Sequence, residues 1–219
     1  MRPARREPKC STTCPSPESS GTRSSSSRRS GGAGWLPRRP RRLPSPPIPA
    51  ESNDPRKPLA LLGFMGSGKT LVGALVAQRG HATFFDLDHL VEDKAGMSVA
   101  EIFATHSEEA FRAFEKETLP GLLRPGAVVA LGGGVVMDDD NWRLISEKAI
   151  TVYLEVPFET IWQRIHRLPG RPLIANRTVS EVEAMFDRRR PRYEQADHRV
   201  DGTREAGVVA DEVLKLWSA

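Results

Sequence analysis

Pro58-Leu59-Ala60-Leu61-Leu62 runs directly into Gly63-Phe64-Met65-Gly66-Ser67-Gly68-Lys69-Thr70, and that octet into Leu71-Val72-Gly73-Ala74-Leu75-Val76-Ala77-Gln78-Arg79. The first stretch is a short apolar run of the kind a strand buried on both faces requires, and the last carries helical periodicity. Between them stands a complete GxxxxGK[ST] pattern. Its glycines let the backbone curl until successive N–H groups point inward at phosphate oxygens, and the helix that follows adds partial positive charge at its N-terminus. On this reading Gly66, Ser67, Gly68 and Leu71 cradle a nucleoside triphosphate, Lys69 bridges its β and γ phosphates, and the Thr70 hydroxyl ligates Mg²⁺. The four fixed positions would arise by chance in roughly one chain of this length in a hundred, with Gly near 7% of residues. The strand before and the helix after supply the context that makes the match specific.

Outward from this octet the pattern repeats. Apolar runs at 58–63, 82–86, 127–131, 149–156 and 198–201 alternate with amphipathic segments, which predicts βα units around a five-stranded parallel sheet covered on both faces. The fold class expected is α/β, a three-layer sandwich. Ser98 with Glu101, and Thr178 with Glu181, have the spacing of capping boxes and mark two helix starts. The second strand ends in Asp86-Leu87-Asp88, and residues two apart on an extended strand share a face. Both carboxylates are therefore expected at the carboxyl end of the sheet, where α/β proteins bind ligands. One carboxylate would serve the metal and the other an acceptor hydroxyl.

The composition changes abruptly near Asp54. Residues 1–50 hold 11 Lys and Arg against two Glu, and are rich in Ser, Pro and Gly; of the 32 basic and 28 acidic residues in the chain this leaves 21 against 26 for residues 51–219. The overall positive charge thus belongs to the amino-terminal segment. Residues 1–54 carry too few apolar side chains to offset the entropy of ordering them, and are expected as a disordered basic tail ahead of one domain at 55–219. An Arg-rich, acid-poor tail also suits a plastid transit peptide, but a cytoplasmic enzyme with a dispensable extension is the reading preferred. The acidic balance of the domain argues against nucleic acid as a partner. No stretch reaches the roughly 20 apolar residues of a membrane span. Both cysteines, Cys10 and Cys14, fall in the tail, leaving no disulfide framework or Cys-rich metal site in the domain.

Six motifs in order, GFMGSGKT, FFDLDHLVE, SVAEIFATHSEEAFRAFE, LGGGVVMDDDN, GRPLIAN and RRRPRYEQAD, give residues 58–217 a resemblance to shikimate kinases of the nucleoside-monophosphate-kinase-like P-loop class. The resemblance implies ATP and Mg²⁺, a mobile lid and a monomer that phosphorylates the 3-hydroxyl of shikimate. It implies that Asp88 holds the ring hydroxyls and acts as base, and that Asp86 reaches Mg²⁺ through water. Arg112 and Arg189 would grip the substrate carboxylate, as guanidinium forks suit a bidentate anion. Gly132, Gly133 and Gly134 would let the ring approach the backbone. Arg171 in the lid would stabilise charge on the transferred phosphoryl group, and Arg164 and Arg204 would flank adenine. Arg188 and Arg190 are alternatives to Arg189, and Ser107 stands where the family often has glycine, in a position to cap a helix.

Other readings differ in their residues. Gluconate kinase, or a nucleotide kinase on the same scaffold, would share the phosphate loop, since fold does not set substrate. A non-catalytic regulator would be expected to lack Lys69, Asp88 or Arg171, and all three are present.

Overall fold

The computed structural model describes residues 54–166, 174 and 177–218, all within one compact unit. Among these residues five strands form one sheet: β1 (Leu59–Leu62), β2 (Thr83–Asp86), β3 (Ala127–Ala130), β4 (Ile150–Glu155) and β5 (His198–Asp201). Each lies where an apolar run predicts it. Their spatial order is β2-β3-β1-β4-β5, and every neighbouring pair is parallel.

Among the described residues eight α-helices complete the layers: α1 (Lys69–Arg79), α2 (Leu87–Ala95), α3 (Val99–Thr105), α4 (Glu108–Thr118), α5 (Asp139–Lys148), α6 (Phe158–Ile165), α7 (Val179–Tyr193) and α8 (Ala206–Ser218). Alternation along the strands divides the core in two. Leu59 and Leu61 of β1 pack with Val72 and Val76 of α1 and with Val209, Val213 and Trp217 of α8. Ala60 and Leu62 face the opposite way, toward Phe111 of α4, Ile161 of α6 and Phe186 of α7. A strand apolar at every position is what burial on both faces demands.

Both expected capping boxes are formed, Ser98 with Glu101 and Thr178 with Glu181. Ser107 does cap α4, its side chain accepting from the Ala110 N–H. The Asp-Asp-Asp run after the glycine turn is structural. Asp138 caps α5 through the Asn141 N–H, Asp139 pairs with Arg192 of α7, and Asp140 pairs with Lys116 of α4 and Arg143. These links tie three helices, α4, α5 and α7, together.

Candidate active site

The loop between β1 and α1 closes on glycine geometry. Gly68, the residue preceding α1, has φ 97°, in the left-handed region where a side chain is strained, although a Cβ there would meet nothing within 4 Å. Here the conformation, and not space, requires glycine. Five of the helices, α2, α3, α4, α5 and α7, carry side-chain caps, whereas α1 has none and no acidic residue in its first turn. Its first N–H groups therefore have no side-chain acceptor from the cap, which is the condition for receiving an anion. Lys69 Nζ donates to the carbonyls of Gly63 (2.9 Å) and Phe64 (3.0 Å), lying back over the loop it is expected to serve.

Asp86 and Asp88 do not share a strand face as their spacing suggests. The strand ends at Asp86, which becomes the N-cap of α2 and accepts from the Asp88 and His89 N–H groups. Capping outcompetes strand continuation because an aspartate oxygen satisfies donors that the helix start would leave orphaned. The two carboxylates consequently part. The second oxygen of Asp86 accepts from the Thr70 hydroxyl at 2.6 Å, which places two hard oxygen ligands side by side at the phosphate loop. No group of three or more metal-ligating His, Cys, Asp or Glu side chains occurs among the described residues.

Asp88 turns instead toward the glycines after β3. A Cβ placed on Gly132 would stand 2.6 Å from Asp88 Oδ1 and 2.6 Å from Glu115 Oε1, and one on Gly134 would stand 2.6 Å from an Arg112 nitrogen. On Gly133 it would lie 3.5 Å from the Tyr193 hydroxyl and 3.6 Å from an Arg189 nitrogen. Gly132 and Gly134 thus give their side-chain space to charged groups from α2 and α4, while a Cβ on Gly133 would make only ordinary contact with the groups from α7. Of the three adjacent arginines only Arg189 is buried, with its guanidinium 5.7 Å from the Phe64 ring; Arg188 and Arg190 are exposed.

Glu115 was not singled out by its sequence, though it lies one helical turn beyond Arg112, on the same face of α4. It is fully buried, Arg112 donates to its Oε2 at 2.6 Å, and Oε1 has no hydrogen-bond partner. Burial pushes its pKa up to about 7, against the pull of Arg112, and Asp88 adds to the rise. Burial likewise raises Asp88, helped by the charge of Asp86 and opposed by Lys69, Arg112 and His89. Arg112 also pairs with exposed Glu108 at 3.0 Å. For Arg112 itself burial works against the charge, but Glu115 and Glu108 outweigh it and raise its pKa.

A raised carboxyl pKa has a definite sign. Unfolded chains release the Glu115 proton near 4.5 and the folded protein near 7, so the stability gained from the protonated form is complete below about 4.5 and is lost as pH rises through about 7. Glu115→Gln, which cannot titrate, is expected to flatten that decline, by an amount on the order of 3 kcal/mol between pH 5 and 8. Thermal unfolding of both proteins across this range checks it. Parallel pH profiles would remove Glu115 as the cause.

Arg164 donates to the Gly66 carbonyl (3.2 Å) and the Gly202 carbonyl (3.4 Å), joining the phosphate loop to the turn after β5. Arg204 is held at that turn by Asp201 and by Glu212 of α8. Leu71 is 58% exposed in the first turn of α1. Arg171 and the segment expected as a lid lie outside the described residues, Ile174 excepted.

Comparison with known proteins gives the family. The family model for shikimate kinase matches residues 65–217. The shikimate kinase of Moorella thermoacetica is 41% identical over 164 residues, covering 73% of this chain and 95% of that protein; the one from Streptococcus gordonii is 39% identical over 160 residues, covering 71% and 95%. Among solved structures, the shikimate kinase of Acinetobacter baumannii in complex with shikimate superposes with a TM-score of 0.71 at 32% identity, covering 74% of this chain and 92% of that one. A phosphate loop at one end of the sheet, a charged glycine turn beside it and relatives matched over nearly their whole length lead to one conclusion: the chain belongs to the shikimate kinase family.

Proposed function

We propose that this protein transfers the γ-phosphoryl group of ATP to the 3-hydroxyl of shikimate, giving shikimate 3-phosphate and ADP. Residues 55–219 carry the activity, as a monomer in the cytoplasm, and residues 1–54 are a non-catalytic extension. The observation that carries this reading is the convergence of Asp88, Glu115, Arg112 and Arg189 on Gly132–Gly134, beside the Lys69, Thr70 and Asp86 cluster. Two arginines and two carboxylates around a turn without side chains describe a pocket for a compact acid that also bears hydroxyl groups.

The chemistry asks for alignment and charge balance more than for covalent help. Lys69 leaves its two carbonyls to meet the β and γ phosphates. Arg112 and Arg189 hold the substrate carboxylate and so fix the ring. Asp88 takes the hydroxyl proton as the oxygen attacks the γ phosphorus and the bond to the β-phosphate oxygen breaks; burial that raises its pKa makes it a better proton acceptor. Thr70 and Asp86 would hold Mg²⁺, which neutralises charge on the phosphates when bound. Arg171 is assigned to the transferred group, and Arg164 and Arg204 to the adenine end.

A coupled ADP-release assay offering shikimate, gluconate and nucleoside monophosphates in turn tests the substrate. Release is expected with shikimate alone; release with gluconate and none with shikimate would overturn the reading. Arg112→Ala is expected to raise the KM for shikimate about 10- to 100-fold, the size of a charge-assisted hydrogen-bond pair, and to leave the KM for ATP within about twofold. Equal changes in both constants would take Arg112 out of the acid pocket.

A further inference from the structure

A cleft of about 570 Å³ opens between the ends of β4 and β5, the start of α6 and the middle of α7. That volume falls in the range of small-molecule sites. No residue of the phosphate loop lines it, nor do Asp88, Arg112, Glu115, Arg164, Arg189 or Arg204.

Its floor is apolar and aromatic: Tyr153, Val156, Phe158 and Phe186 are all buried, and the two phenylalanine rings lie 5.8 Å apart. Tyr153 is 1% exposed, and its hydroxyl has no hydrogen-bond partner among the described residues. Its neighbour Tyr193, 5.5 Å away between ring centroids, differs in this respect, since that hydroxyl donates to the Gly133 carbonyl. A buried hydroxyl without a partner costs the fold, whereas phenylalanine in the same place would not. Burial, helped by Glu155 and Glu194 and opposed by Arg190 and Arg199, pushes the Tyr153 pKa up to about 12. The hydroxyl therefore stays neutral, with its oxygen lone pairs open to a donor in the cleft.

Five exposed carboxylates surround this floor, Glu155, Glu159, Glu183, Asp187 and Asp201, against one cation, Arg190. Arg190 reaches only Asp187 (3.8 Å) and Glu194 (3.9 Å). Asp201 is engaged by Thr203 and Arg204, while the side chains of Glu155, Glu159 and Glu183 have no ion pair or hydrogen bond among the described residues. One exposed carboxylate holds a cation weakly, but several of one sign around an apolar cleft focus their field into it. A metal ion does not fit, because no three metal-ligating side chains come together among the described residues. An aromatic floor attracts an organic ammonium instead, through the faces of its rings.

We propose that this cleft is a second binding site, for a small organic cation: a primary ammonium on an apolar body, the body resting on Phe158 and Phe186 and the ammonium held by the Tyr153 oxygen and the surrounding carboxylates. The site shares no residue with the phosphoryl-transfer reading and does not depend on it.

Calorimetric titration of the whole protein with phenethylammonium, with and without ATP, tests the proposal. Saturable binding is expected with a Kd on the order of 1 mM, as suits a ligand of about nine non-hydrogen atoms, and the same value with ATP present. Phenethyl alcohol has the same shape without the charge and is expected to bind at least about tenfold more weakly. Glu183→Gln combined with Asp187→Asn, both exposed on α7, is expected to weaken the amine about three- to tenfold and leave the alcohol unchanged. Tyr153→Phe is expected to weaken the amine about fivefold while its thermal transition holds or rises. The proposal is overturned by the absence of saturable heat, by equal binding of amine and alcohol, by binding lost on adding ATP, or by a double variant that binds the amine as wild type does. A Tyr153→Phe protein that melts lower and binds the amine undiminished overturns it too, because the hydroxyl then serves the fold.

Discussion

Lys69→Ala is expected to lower kcat about a thousandfold and to leave the thermal transition in place. The size follows from what one preorganised cationic donor contributes where negative charge develops on a transferring group. The survival of the fold follows from its surroundings. Lys69 Nζ is bonded to two loop carbonyls, those of Gly63 and Phe64, at a half-buried position that water can reach once the side chain is gone. The curl of the loop depends on Gly63, Gly66 and Gly68, all at positive φ, and not on the lysine. The measurement is shikimate-dependent ADP release at saturating concentrations of both substrates. Turnover near that of wild type would refute the phosphate assignment.

Asp88→Asn should separate activity from stability even more sharply. Loss of the proposed proton acceptor is expected to lower kcat by about 10²- to 10⁴-fold. Stability is expected to hold or rise, because the aspartate is held under strain of charge. Burial and the neighbouring Asp86 both raise its pKa, so its ionised form costs the folded state, and the opposing pull of Lys69, Arg112 and His89 does not cancel that cost. An amide of the same shape has no such cost. Groups whose charge destabilises the fold are where function is bought with stability. A variant that is both inactive and markedly less stable at pH 8 would show that Asp88 serves packing, and would return the base to another residue.

The sequence and the site meet unevenly. The phosphate loop was legible to the residue, since its pattern is local and its chemistry belongs to the backbone. Arg112 and Arg189 were named through resemblance, and of the three neighbours that the sequence left open Arg189 is buried while Arg188 and Arg190 are exposed. Asp86 and Asp88 were found, but not their arrangement. Their spacing suits a strand face, whereas a helix start at Leu87 turns the first into a cap. Glu115 is not legible in the sequence because a glutamate in a helix carries no signal by itself; what distinguishes it is burial and the partner it meets.

By itself, the sequence determined the five strands, the helix starts at Ser98, Ser107 and Thr178, the glycine loop and the α/β class. All of these follow from side-chain period, caps and backbone freedom, which act over a few residues. Only the tertiary structure decided the order β2-β3-β1-β4-β5, the partnership of Arg112 with a fully buried Glu115 beside Asp88, and the tether from Tyr193 to Gly133. Those depend on which segments distant in the chain pack together, and on the low polarity of the place where they meet, where a carboxyl group holds its proton and an unpaired polar atom is costly.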